Sequence, residues 1–244
     1  MKRYTAFVTG ADHGLGLALT KNLLAREWNV VAGRYGKGPK VPAEKSIESI
    51  VGAYPEQLLV VPLDVNDLES VRAAAETTLA ASPTVDLIIN NAGILGDLKR
   101  SVSDGLDYDD VNRTLSVNAL GPLRVVESLL PGMASSELKR LCFVSSEAGS
   151  VTRSYRKAWY GYCMSKAALN MGVSILFNDL RPSGYTFRVY HPGWMQTFMA
   201  GAENLEATLT PAEAADAALA YFLDATVDED RLVLRDNEGN EWPW

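Results

Sequence analysis

The chain has 244 residues, 47% hydrophobic and 22% charged, with a formal net charge of -7. A chain of that length buries enough surface to fold without a disulfide or metal staple. The acidic balance and the lack of a Lys/Arg stripe exclude nucleic acid as a partner.

The opening run Met1–Val8 is too short in its apolar part for a signal peptide. No stretch approaches the ~18 apolar residues of a membrane span, so no membrane association is expected. Two cysteines, Cys142 and Cys163, fit a reducing compartment, and a soluble cytoplasmic protein is the expectation. Short apolar β-rich runs are expected as strands at Ala6–Thr9, Val30–Gly33, Leu58–Pro62, Leu87–Asn90, Leu141–Ser145, Thr186–His191 and Leu232–Leu234. Helical periodicity fills the intervals at Leu15–Arg26, Asp67–Ala81, Tyr108–Leu130, Tyr160–Leu180 and Pro211–Leu223. Apolar runs alternating with helices predict an α/β, doubly wound Rossmann fold, with a parallel sheet of about seven strands covered on both faces. No repeat, low-complexity tract or long linker interrupts it, so residues 1–244 read as one domain, with Gly36–Lys40 as a loop.

Thr9-Gly10-Ala11-Asp12-His13-Gly14-Leu15-Gly16 joins the first strand to the first helix. Glycines there let the backbone turn tightly and approach a ligand, and the helix N-terminus offers free N–H groups to an anion. That is the physics of dinucleotide pyrophosphate binding. In Tyr162-Cys163-Met164-Ser165-Lys166, residues four apart share a helical face, so the Tyr162 hydroxyl and Lys166 ammonium can sit together. A nearby cation is expected to pull the phenol pKa down, towards general acid/base use.

The T-G-x-x-x-G-x-G turn and the Tyr-x-x-x-Lys pair resemble the short-chain dehydrogenase/reductase family, and further motifs follow in its order. Asp64-Val65 matches the family's adenine contact, and Asn90-Asn91-Ala92-Gly93 the segment lining its cofactor site. Asn118 matches the helical Asn that holds a water in the proton relay, and Ser146 the Ser that bonds the substrate oxygen. Pro192-Gly193-Trp194-Met195-Gln196-Thr197 matches the segment closing over the nicotinamide, with a substrate-facing flap expected over about 195–210. Within the family the sequence resembles small carbonyl reductases of the sniffer and C-factor type. The resemblance implies Asn118, Ser146, Tyr162 and Lys166 as catalytic residues. It implies cofactor contacts from Gly10, His13, Gly14, Leu15, Gly16, Arg34, Asp64, Val65, Asn91, Ala92, Gly93, Tyr162, Lys166, Pro192, Gly193, Met195 and Thr197.

The implied reaction is hydride transfer to an aldehyde, ketone or quinone, with Tyr162 as general acid assisted by Lys166, Ser146 and Asn118. Arg34 stands where an acidic residue would favour NAD. A guanidinium can fork onto a 2′-phosphate, so NADP(H) is expected, with His13 a partly charged accessory. An NAD-dependent alcohol dehydrogenase and a non-catalytic dinucleotide sensor are the alternatives. A homodimer or homotetramer is implied by the resemblance alone.

One departure stands out: Ser146 lies a few residues farther from Tyr162 than the family usually has it. The extra length falls in Val151–Trp159, where Ser150 and Ser154 offer other hydroxyls. His191 reads as orienting a turn and Cys163 as packing, and no His/Cys spacing supports a metal site. Trp159, Trp194 and Phe198 flank the expected pocket and suggest an apolar substrate.

Overall fold

The computed structural model describes residues 3–244, so Met1 and Lys2 of the opening run lie outside it. Its strands are β1 (Thr5–Thr9), β2 (Asn29–Arg34), β3 (Leu58–Pro62), β4 (Leu87–Asn90), β5 (Arg140–Val144), β6 (Thr186–His191), β7 (Leu234–Asp236) and β8 (Glu241–Trp242). They form one sheet in the order β3-β2-β1-β4-β5-β6-β7-β8. All neighbours pair in parallel except β7 and β8. The chain runs outward from β1 in one direction and from β4 in the other, so a crevice opens between their carboxyl ends, where such sheets place ligands.

The helices are α1 (Gly14–Ala25), α2 (Leu68–Ala81), α3 (Tyr108–Leu115), α4 (Gly121–Met133), α5 (Tyr160–Leu180) and α6 (Pro211–Phe222). Strand alternation divides the core between the two faces. Ala6 and Val8 of β1 join Leu15, Leu19 and Leu23 of α1 and Ala215, Leu219 and Phe222 of α6. Phe7, from the same strand, joins Val71 of α2, Val125 and Leu129 of α4, and Leu169 and Val173 of α5 on the other face. Each fully buried Leu or Phe contributes about 1.5–3 kcal/mol.

Three expectations change. The last parallel strand is Leu234–Asp236 rather than Leu232–Leu234, and the antiparallel β8 makes the sheet eight-stranded. At two residues β8 is too short for periodicity to reveal. The helix expected over Tyr108–Leu130 is interrupted by a π-helical turn at Ser116–Leu120. Such turns are frequent at functional sites, and Asn118 lies within this one. Arg124 steadies it by donating to the carbonyls of Ser116 and Val65, each at 3.0 Å.

At the opposite end of the sheet, Arg140 and Arg188 are 4% and 1% exposed, yet polar. Both pair with Glu229, at 3.1 and 2.7 Å, and also donate to carbonyls at the C-terminal end of α6. This cluster fastens α6 and the segment before β7 to the central strands. Glu229→Gln would leave two buried guanidiniums without a counter-ion. We expect a loss of about 3 kcal/mol in urea unfolding, with the near-neutral cost of a surface substitution as the contrary result.

Candidate active site

A cleft of about 1010 Å³ lies over the carboxyl ends of β1, β4, β5 and β6. Its floor is a knot between the first and fourth strands. Thr9 Oγ1 accepts from Asn91 N at 3.0 Å and Ala92 N at 2.9 Å, while Asn91 Nδ2 donates to Thr9 O at 2.9 Å. Gly10 has φ +65, and a Cβ there would stand 2.9 Å from Ala92 Cα. A Cβ on Gly16 would collide with the Gly10 carbonyl, so only glycine lets α1 start this close to the sheet.

The start of α1 carries no side-chain cap and no acidic residue in its first turn. By contrast α2, α3 and α6 are capped by Asp67, Asp107 and Thr210. The uncapped start of α1, at His13 and Gly14, lines the cleft. A wide cleft, a glycine cradle and an unneutralised helix N-terminus fit a dinucleotide diphosphate.

On the other wall, α5 is drawn to the end of β5 by polar ties. Lys166 Nζ donates to Val144 O at 2.9 Å, and Ser145 Oγ donates to Asn170 Oδ1 at 2.6 Å. A Cβ on Gly149 would meet Lys166 C at 2.8 Å, so this close approach again requires glycine. Lys166 is 3% exposed, and burial pulls its pKa down from 10.5 to about 8. Its Nζ stands 5.7 Å from the Tyr162 ring centroid. Burial pushes the Tyr162 phenol up to about 12, with the Ser146 hydroxyl acting the other way. The expected lowering of Tyr162 by Lys166 is therefore not what the structure shows: burial dominates, and the cation that acts on the phenol is Arg156. Ser146 stands two residues past β5, and its Oγ accepts from Ala148 N at 3.1 Å, opening a short 3-10 turn at Glu147–Gly149.

Asn118 is buried beneath this wall rather than lining the cleft. Its Oδ1 accepts from Ile94 N and its Nδ2 donates to Ile94 O, both at 2.8 Å, and Nδ2 also reaches Ser165 Oγ at 3.0 Å. Its carboxamide thus clasps the segment after Gly93 to α5.

Every other expected site residue lines the cleft except Arg34. Arg34 pairs instead with Glu48 at 2.6 Å, both about half exposed. Tyr35, Lys37, Gly38 and Pro39 border that end. Burial lowers the His13 pKa against the opposing charge of Asp12, so His13 offers less charge than expected. Met195 and Thr197 belong to the expected flap, which closes on itself through Gln196 N to Leu209 O at 2.9 Å. Lys45 bridges to its Glu203 at 2.7 Å.

Several lining residues escaped sequence reasoning. Asp12 accepts from Tyr35 N at 3.0 Å and Gly36 N at 2.8 Å, tying the glycine turn to the loop after β2. Glu147 and Arg156 form a bidentate pair at 2.6 and 2.9 Å beside Ser146. Trp159 opens α5 with φ +67, a left-handed conformation costing about 1–3 kcal/mol in an aromatic residue. In the sequence, loop length and Trp159 as a flank of the pocket point to this region, but not to the Glu147–Arg156 pair or the left-handed backbone.

A family model described as short chain dehydrogenase matches residues 4–208. The chain belongs to this family. The C-signal protein of Myxococcus xanthus is 42% identical over 171 residues, covering 70% of this chain and 99% of that protein. An NADPH-bound carbonyl reductase from chicken fatty liver superposes with TM-score 0.86 and 28% identity over 100% of both chains. The carbonyl reductase Sniffer of D. melanogaster gives TM-score 0.84 over 100% of both chains, at 20% identity a likeness of fold. As in other short-chain dehydrogenases, the chemistry of this site is oxidoreduction. Among the described residues, no helix is long and apolar enough to cross a membrane.

Among the described residues Lys166 has no anionic partner, so its buried charge burdens the fold. Between pH 8 and 10.5 the unfolded chain still holds the proton that the folded chain has lost, and stability should rise with pH. Lys166→Met should be more stable than wild type at neutral pH, by up to about 3 kcal/mol. The advantage should shrink as pH rises through that window. Urea unfolding across the range checks this; a variant less stable at every pH would contradict it.

Proposed function

We propose that the chain, as a single nucleotide-binding domain over 1–244, is a cytoplasmic NADPH-dependent reductase of an aldehyde, ketone or quinone. The observation that carries this reading is the meeting of Ser146, Tyr162 and Lys166 on one wall of a dinucleotide-sized cleft, facing an uncapped helix N-terminus. The nicotinamide cofactor, when bound, supplies the hydride. Gly14, Leu15 and Gly16 would hold its diphosphate, and Asp64, Val65 and the Asn91–Gly93 segment would border its adenosine and ribose. Pro192, Gly193, Met195 and Thr197 would cover the nicotinamide end.

Ser146 and Tyr162 donate to the substrate oxygen, and Tyr162 releases its proton as negative charge develops there. A phenol pushed up to about 12 is protonated at neutral pH, as the proton donor of a reduction must be. Lys166 steadies the phenolate that results, while Asn118 fixes the backbone at Ile94 beside it. Tyr162→Phe should lower turnover by about 10²–10⁴-fold and leave NADPH affinity intact. Near wild-type turnover in that variant would remove Tyr162 from the reaction.

The NADP(H) preference draws support from the NADPH-bound chicken relative and from the residues after β2. An exposed pair such as Arg34–Glu48 is worth at most about 1 kcal/mol, so a 2′-phosphate can draw the guanidinium away. Arg34→Asp should weaken NADPH binding by about ten- to a hundredfold with little effect on NADH, measured by titration. Equal NADH and NADPH affinity in the wild type would overturn the preference.

We further propose a homodimer or homotetramer built on α5. Met164, Met171 and Ile175 lie along one face of it and are 49%, 64% and 61% exposed. Met171→Glu should reduce the mass measured by light scattering. A monomeric wild type would rule this association out.

A further inference from the structure

The lengthened loop before α5 builds a distinct wall at the substrate end of the cleft. Arg156 lies between a carboxylate and two rings. Its Nη1 and Nη2 donate to the two Glu147 oxygens, and its Cζ stands 4.6 Å from the Trp159 ring centroid and 4.8 Å from that of Tyr155. Trp159 in turn meets Tyr162 in a T-shaped contact at 6.1 Å. The Arg156 and Glu147 side chains are 14% and 22% exposed, so this is a packed arrangement rather than a loose surface pair. Glu147, Arg156, Trp159 and Tyr162 all line the cleft.

Two features show that the protein maintains this wall against a cost. Trp159 is held in the left-handed region, which persists only where surrounding contacts over-determine it. The guanidinium lies over that ring while Glu147 fixes it by two bonds; a lysine could not do both at once. The charges of Arg156 and Glu147 also cancel, so a cation is presented to the cleft already neutralised. Leu95, Leu98 and Met199 line the cleft as well, with Arg113 also among its lining residues, and the platform itself is aromatic and without net charge.

Resting on the carbonyl-reducing reading above, we propose that Glu147, Arg156 and Trp159 form a neutral planar platform selecting uncharged carbonyl compounds with a flat aromatic or conjugated body. Arg156 and Glu147 are positioning residues that act through Trp159, and the platform sets which carbonyl reaches Ser146 and Tyr162. A flat ring stacks on an aromatic wall, whereas a puckered ring of similar size meets it only at its edges. A carboxylate on the substrate would be desolvated beside the Glu147–Arg156 pair, whose guanidinium is already taken by Glu147.

The test is binding to the NADP⁺ complex, read by calorimetry, with acetophenone, cyclohexyl methyl ketone and 4-acetylbenzoate as ligands. Binding rather than turnover is measured, so failure of the carbonyl-reducing reading would show separately as bound ketone without NADPH consumption. Wild type should prefer acetophenone over the cyclohexyl ketone by about five- to tenfold and bind 4-acetylbenzoate least. Trp159→Gly, which removes the ring and relieves the backbone, should abolish the planar preference, and Arg156→Met should reduce it. Glu147→Gln leaves the guanidinium without its counter-ion and should reverse the charge selection, so that 4-acetylbenzoate binds better than acetophenone. A merely structural role for the pair would not produce that reversal. No saturable binding of acetophenone, equal affinity for the two neutral ketones, or unchanged charge selection in Glu147→Gln would each overturn the platform.

Discussion

The site depends on how closely α1 can start against the sheet. Gly16 has no room for a Cβ against the Gly10 carbonyl, and Thr9 ties the ends of β1 and β4 by accepting from Asn91 N and Ala92 N. Those contacts bring the uncapped N-terminus of α1 to the crevice where strand order reverses. A longer side chain at either glycine would push the helix away and widen the gap to Asn91. The cleft therefore has an anion-receiving floor before any catalytic residue is considered.

The facing wall is built by the same means and bears a different charge problem. Gly149 lets α5 approach β5 closely enough to sink Lys166 against Val144 O, at the cost of desolvating an ammonium. The fold tolerates this because the opposite end of the sheet is fastened by Arg140, Arg188 and Glu229 and the core is continuous on both faces. Instability is concentrated where chemistry is proposed: a buried Lys, a phenol raised by burial and a left-handed Trp159. Proteins commonly retain such strain at sites in use.

Much of the fold could be read in the sequence because the parallel strands are buried on both faces and appear as continuous apolar runs. Chain order then gave the α/β class and the placement of Gly10, Gly14, Gly16, Ser146, Tyr162 and Lys166 around one crevice. Local periodicity missed β8, whose two residues carry no pattern, and the π-turn, which keeps helical periodicity while shifting its phase. The pKa of Tyr162 was misjudged because helix spacing shows a neighbouring cation but not the depth of burial. The pairing of Arg34 and the role of Asp12 were missed for a related reason: their partners, Glu48 and the Tyr35–Gly36 backbone, depend on how a loop folds back. The Glu147–Arg156 pair was signalled only as extra length.

The central claim is that the glycine-built crevice receives a nicotinamide dinucleotide with its diphosphate on α1 and its reactive end at Tyr162. A crystal structure of the complex with NADPH tests it most directly. The account predicts diphosphate oxygens within hydrogen-bond reach of the backbone N–H groups at Gly14–Gly16, with the nicotinamide ring between Tyr162 and the Pro192–Thr197 segment. A nucleotide bound outside the crevice, or one with its adenine beside Tyr162, would contradict it.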